Sequence, residues 1–362
     1  MKFLLVLLLL VYCCHGTISC PELCTCYPRR AEVVCNEVPL TDFPSEDLSR
    51  NTTSLSIQFT NISFISEDQL TALPALEELH LYHNQLKRLP SNLFRGVPRL
   101  RIVDLTGNQL NHLPEKVFSH APLQSLVLKR NLIQSADAGW LPEDSNVTWL
   151  DLSNNRLTAA PTVLLQRLHH LEILDLSHNR LEKLAGDSLS PLTKLERLKL
   201  QGNKLSSLEP GTFSTNGNLT HLYLSENRLE KLPLDVFEGL HSLKDLSLND
   251  NRLSHIPPGV LDHLISLECI GLDLTLNPWV CDGKMEYLWR WLQKNKEKTF
   301  LVENTTCASP KSLKERPVLS LTKSELNAQT PLELYSNWCK YMCGWLIVHN
   351  LMFDSKLQRH VN

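Results

Sequence analysis

The sequence predicts an α/β solenoid in which one short strand from each of many stacked coils builds a continuous parallel sheet. Three observations carry this. Asparagine recurs at Asn84, Asn108, Asn131, Asn155, Asn179, Asn203, Asn227 and Asn251, with gaps of 24, 23, 24, 24, 24, 24 and 24 residues, and Asn277 follows after 26. Each lies in one frame, LxxLxLxxNxL, as at residues 76–86 and 243–253. Cysteines cluster at both ends of the array: Cys20, Cys24, Cys26 and Cys35 before it, Cys281 and Cys307 after it. Self-similarity at a fixed period of this length marks a stacked-repeat architecture.

The period has a local cause. In LxL the two leucines point inward and their neighbours outward, the alternation of a strand. A single coil cannot bury those leucines, so it needs a coil above and below. The asparagine turns the chain away from the strand. Its amide carries an acceptor and two donors and can satisfy backbone groups stranded in a buried turn. This frame is the leucine-rich repeat, and it predicts a horseshoe with a parallel concave β-sheet. At about 4.8 Å per strand the marked coils give a sheet on the order of 40 Å long. The returning segments, residues 89–94, 113–118 and 232–237, fill the convex side. Phe118, Phe213 and Phe237 read as a stacked core column rather than a ligand box.

The first residues set the compartment. Met1-Lys2 precedes the apolar run 3–11 and then small residues, which reads as a signal peptide over 1–16 too short to span a bilayer. The chain is therefore expected to be secreted and extracellular. A net charge of −3 gives no reason to expect nucleic acid or an anionic membrane as partner. The expected organisation is a cysteine-rich N-terminal cap over 17–50, about nine to ten coils over 51–276, a C-terminal cap over 277–327, and a tail over 328–362. The four front cysteines fit a disulfide-stapled cap, with zinc the rival that export disfavours. Caps are needed because the terminal coils of an open solenoid would expose a leucine core. Five Asn-x-Ser/Thr sequons, Asn51, Asn61, Asn146, Asn218 and Asn304, are expected to carry N-glycans. Asn146 and Asn218 share one offset before the first repeat leucine, which places them along one edge.

The chain also resembles a particular family, the leucine-rich alpha-2-glycoproteins of plasma. The resemblance runs over about residues 36–325. It rests on a degenerate first coil with a sequon, Leu55-Ser-Ile-Gln-Phe-Thr-Asn61-Ile-Ser63, and on Leu126-Val-Leu-Lys129-Arg-Asn131 leading to Trp140-Leu141. Its most specific part is the C-terminal cap: Asn277-Pro-Trp-Val-Cys281-Asp, then Tyr287-Leu-Trp289-Arg-Trp291-Leu-Gln293 and Asn304-Thr-Thr-Cys307. Many repeat proteins place a further cysteine at the position of Gly283, and its absence resembles this family. The resemblance implies an inflammation-linked protein that binds cytochrome c and modulates transforming-growth-factor-β signalling through receptor components. Analogy with extracellular repeat proteins further implies the pairs Cys20–Cys26 and Cys24–Cys35, with Cys281–Cys307 at the back. Cys269, Cys339 and Cys343 remain, an odd number, so at least one thiol is expected to be free or paired between chains. The front cap departs from the family and resembles that of small proteoglycans and receptors. The tail has no counterpart there, and an alternative transcript or misjoined exon explains it best.

Function in such a fold is expected on the concave face. The outward positions before the central leucine include Glu78, Trp149, Ile173, Arg197 and Asp245. Those after it include His80, Asp104, Asp151, Asp175 and Tyr223. Asp104, Asp151 and Asp175 form a loose acidic column suited to a basic ligand. Trp149 and Tyr223 are aromatic, the type that anchors protein interfaces. One residue past each asparagine lies a basic row, Arg156, Arg180, Lys204, Arg228 and Arg252, which repeat consensus explains without a ligand. Catalysis finds no support, because the fourteen histidines scatter without a nucleophile or metal-spaced partners. No cofactor or metal is expected. Two other readings remain: an extracellular-matrix protein of the proteoglycan type, and a subunit that carries a plasma peptidase.

Overall fold

The computed structural model describes residues 20–328. The expected signal peptide and all but the first residue of the tail, with Cys339 and Cys343, lie outside the described residues. Twelve strands form one sheet in chain order. They are β1 (Thr25–Tyr27), β2 (Glu32–Asn36), β3 (Ser54–Gln58), β4 (Glu78–His80), β5 (Ile102–Asp104), β6 (Ser125–Val127), β7 (Trp149–Asp151), β8 (Ile173–Asp175), β9 (Arg197–Lys199), β10 (His221–Tyr223), β11 (Asp245–Ser247) and β12 (Leu272–Asp273). β1 and β2 are an antiparallel hairpin, and every pairing from β2 onward is parallel. The register is strict, so Glu78, Ile102, Ser125, Trp149, Ile173, Arg197, His221 and Asp245 stand in one row across the sheet.

Most of these strands are three residues long because each frame presents one inward side chain between two outward ones. The inward residues Leu79, Val103, Leu126, Leu150, Leu174, Leu198, Leu222 and Leu246 are completely buried. Each buried side chain of this size stabilises the stack by about 1.5–3 kcal/mol. The returning segments run mostly as tight turns, with short helices α1 (Glu67–Thr71) and α2 (Thr162–Leu165). On the convex side Phe94 stacks on Phe118 with ring centroids 5.1 Å apart. The phenylalanine column is not continuous: buried Trp140, Leu165 and Leu189 come between Phe118 and the pair Phe213 and Phe237.

The asparagines work as their side-chain inventory requires. Asn179 donates from Nδ2 to Leu152 O of the preceding coil (2.9 Å) and to Leu176 O of its own (3.1 Å), while its Oδ1 accepts from Leu157 N (3.0 Å). Asn155 donates to that same Leu152 O at 3.1 Å. Each such carbonyl is thus shared by successive amides, and the pattern continues through Asn203, Asn227, Asn251 and Asn277. The residue just before each asparagine adopts a left-handed conformation, as at His83, Asn154 and His178, and Phe59 does the same before Thr60. At Gly202 (φ 68°) the ring of His178 comes so close that an added Cβ would lie 2.2 Å from Nδ1.

Both ends are closed. At the front, disulfides join Cys20–Cys26 and Cys24–Cys35, which consumes the thiols a zinc site would need. At the back, β13 (Trp279–Val280) pairs with β14 (Cys307–Ser309), and a disulfide joins Cys281 to Cys307. Fully buried Trp279 plugs the last coil and donates from Nε1 to Leu274 O at 3.2 Å. Helix α3 (Glu286–Lys294) turns Leu288, Trp291 and Leu292 inward, and α4 (Lys323–Asn327) follows with a Thr322–Glu325 capping box. Cys269 is exposed and forms no disulfide among the described residues. No helix among the described residues is long and apolar enough to cross a membrane.

Candidate protein-interaction surface

Two rows of outward side chains define the concave face. The first, described above, runs from Glu78 to Asp245. The second runs His80, Asp104, Val127, Asp151, Asp175, Lys199, Tyr223 and Ser247. Strict register places all nine candidate residues, Glu78, His80, Asp104, Trp149, Asp151, Asp175, Arg197, Tyr223 and Asp245, on this one face. At its middle Trp149 is 43% exposed beside half-buried Ile173, its partner on β8. Trp149 is thus a bulky aromatic left open on this face, the residue type enriched at the centres of protein interfaces.

The acidic column is more guarded than its sequence suggests. Asp151 and Asp175 are buried against their own strands, at 6% and 5% exposure. Each turns one carboxylate oxygen back to an amide two residues on, Ser153 N at 2.8 Å and Ser177 N at 3.0 Å. Asp175 also pairs with Lys199 at 3.2 Å. Burial, then the neighbouring Asp175, pushes the Asp151 carboxyl above its ordinary pKa. Val127 separates these two from Asp104, which is half-exposed and accepts from Thr106 N at 2.9 Å. The column is therefore two close carboxylates and one outlier.

The ends of the face are polar and internally bonded. Tyr223 donates its hydroxyl to Asp245 at 2.9 Å, and burial followed by that bond pushes the phenol up to about 12. His221 titrates below its usual value because burial, then Arg197, disfavours its charge. The buried Nε of Arg197 has no hydrogen-bond partner among the described residues. At the front, His80 lies 3.7 Å from Glu78 and edge-on to Tyr82. His83 leaves this row and stacks flat on Phe59. His170 lies at the edge where strands begin, 2.9 Å from Lys194, in a polar recess that includes Arg101, Gln124 and Asn146. All five sequon asparagines are exposed. The basic row past the asparagines is exposed apart from half-exposed Lys204. Among the described residues no group of three or more His, Cys, Asp or Glu could hold a metal ion.

Sequence reasoning put Lys199 on this face but missed its pairing with Asp175, and it missed exposed Phe59 and Phe64 (49% and 60%) near the front cap. Phe59 was legible as an aromatic residue at a turn position where other coils carry mostly polar residues or glycine.

Comparison with known proteins agrees with this fold. The chain matches the leucine rich repeat family at residues 50–110, 145–205, 193–244 and 217–275, and the leucine rich repeat C-terminal domain at residues 304–327. It belongs to the leucine-rich-repeat family. It is 47% identical over 64 residues to phospholipase A2 inhibitor beta of Elaphe climacophora, covering 18% of this chain and 19% of that protein. It is 32% identical over 69 residues to chondroadherin of Homo sapiens, covering 19% of each. The chain thus spans about a fifth of the length of these curated relatives. Among solved structures it is similar to a chain of the octameric complex of Latrophilin 3, Unc5D and FLRT2 (LRR). That likeness has a TM-score of 0.63 and 26% identity over 84% of this chain and 98% of the other.

Proposed function

We propose that the chain is a secreted, glycosylated, non-enzymatic binding protein that takes an extracellular protein on its concave face. The observation that carries this reading is Trp149, exposed beside Ile173 at the centre of a register-locked wall. A rigid wall loses little conformational freedom on docking, so its exposed anchors convert efficiently into affinity. The resemblance to leucine-rich alpha-2-glycoproteins supplies the ligands to try: cytochrome c and components of the transforming-growth-factor-β receptor pathway. Glu78, Asp104 and Asp245 are the acidic groups open enough to meet a basic ligand, whereas Asp175 is paired with Lys199 and Asp151 is buried.

A second reading is favoured by one specific observation, the 47% identity to a phospholipase A2 inhibitor over 64 residues. It makes a phospholipase A2 the ligand of the same face. Both readings are tested by titrating the secreted chain and Trp149→Ala with each candidate. Loss of about tenfold or more in affinity is expected for an anchor of this kind. Unchanged affinity in Trp149→Ala would remove the concave face from the account.

A further inference from the structure

We propose that the Phe59 ring is a platform for the first sugar of an N-glycan on Asn61, with His83 holding the ring from behind. The proposal rests on the reading of the chain as an exported glycoprotein and assigns a role to residues that reading leaves idle.

Four observations converge. Phe59 is 49% exposed and left-handed (φ 53°), an uncommon conformation for a bulky residue. Its ring stacks on His83 at 4.6 Å and 6°. His83 is backed in turn by Gly107, where an added Cβ would sit 2.6 Å from Nδ1. One ring face of Phe59 is therefore supported and the ring remains half open to solvent.

The sequon lies on the same side. Thr60 and Ile62 are buried at 5% and 0%, while Phe59, Asn61 and Ser63 are exposed, so these three alternate outward together. The Asn61 amide is oriented: its Oδ1 accepts from Gln85 Nε2 at 2.9 Å, and its Nδ2 makes no hydrogen bond among the described residues. Its backbone is fixed by Asn61 N donating to Leu40 O at 2.8 Å. The apolar C–H face of a pyranose packs well on an aromatic ring, through dispersion and the negative π face. The other four sequons carry Ser49, Asp144, Asn216 and Val302 two residues before the asparagine, so they are internal controls. A protein partner seated on Phe59 and Phe64 is the rival occupant, and a glycan on Asn61 between them would block it.

Attachment joins Asn61 Nδ2 to C1 of a lipid-diphosphate-linked oligosaccharide, with the lipid diphosphate leaving and one amide proton lost. The test expresses the full chain in secreting animal cells as wild type, Phe59→Ala, Phe59→Trp, Asn61→Gln and the double variant Phe59→Ala/Asn61→Gln. Glycopeptide mass spectrometry reads occupancy at each sequon, and melting reads stability. Phe59→Ala is expected to lower occupancy at Asn61 while Asn146 stays unchanged, and Phe59→Trp to keep it. Phe59→Ala is also expected to lower the Tm by about 1–3 °C more with Asn61 present than in the Asn61→Gln background. Equal Tm losses in both backgrounds with unchanged occupancy would overturn the platform. Glycan on Asn146 but none on Asn61 in the wild type would overturn it while leaving the glycoprotein reading intact. A bare chain at every sequon would overturn both. A bare Asn61 with Phe59→Ala abolishing capture of a protein ligand would hand the patch to a partner.

Discussion

The asparagine ladder makes a quantitative prediction at Asn179. Replacing it by Ala strands the Leu157 amide, whose acceptor is Asn179 Oδ1 at 3.0 Å in a buried turn. An orphaned buried amide costs about 1–3 kcal/mol. Leu152 O and Leu176 O each lose one donor but keep a second, from Asn155 and Asn203, so those losses lie near the low end of about 0.5–1.5 kcal/mol each. The sum is about 2–5 kcal/mol, which for a chain of this size lowers the Tm by about 3–8 °C. Differential scanning calorimetry on the full chain reads it directly. Asn179→Asp is the informative companion. It keeps the acceptor for Leu157 but turns a donor into an oxygen facing Leu152 O and Leu176 O, so it is expected to be no less damaging at neutral pH. A Tm loss below about 2 °C for Asn179→Ala would refute the ladder as the constraint behind the repeat.

Three further outcomes follow from the same geometry. Asp151 titrates above its ordinary 3.8 because burial and Asp175 penalise its charge, so the native state holds this proton to higher pH than the unfolded chain and the group's contribution to stability falls as pH rises through the raised value. Asp151→Asn, whose Oδ1 can still accept from Ser153 N, is therefore expected to raise the Tm at pH 7. The gain should vanish below 3.8, and equal melting curves at pH 7 would show the charge to be harmless. Gly202→Ala drives a methyl into His178 at a left-handed position and is expected to destabilise by about 1–3 kcal/mol in chemical denaturation. Coupling with His178→Ala should recover part of that loss, and strict additivity would deny the contact. Cys281→Ser opens a disulfide with a sequence separation of 26, and about 3.5 kcal/mol is expected to disappear from the unfolding free energy. An unchanged denaturation midpoint would mean that Trp279 and α3 hold the C-terminal cap without it.

Much of the fold was legible because its rules are local and repeated. The 24-residue spacing placed every parallel strand from β4 to β11, and the asparagine's donor and acceptor set foretold its bonds to both coils. Disulfide partners came from analogy, since spacing alone left zinc open. The hairpin of β1 with β2 was not legible, because nothing in its five-residue strand marks which neighbour it pairs with. The phenylalanine column was overdrawn: Trp140, Leu165 and Leu189 fill the same role by volume, and a pattern search for one residue type passes over such substitutes. At the candidate site the period gave each residue's face but not its state. Which aspartates stay open depends on Lys199 in the next coil and on the turn amides of Ser153 and Ser177, contacts that cross coils or fold back. Phe59 was legible as an aromatic at a turn position, but its stacking was not, since its partner His83 lies one coil on.

The central claim is that an extracellular protein docks on the concave face around Trp149. The most direct measurement is surface binding of cytochrome c to the full secreted chain across a salt series, with Trp149→Ala and, as a control outside the face, Leu234→Ala, a residue 66% exposed in a returning segment. The account predicts binding that weakens with salt as acidic groups are screened, falls about tenfold or more in Trp149→Ala, and is untouched in Leu234→Ala. Absence of binding at low salt would withdraw this ligand, and equal binding by Trp149→Ala and wild type would contradict the claim itself.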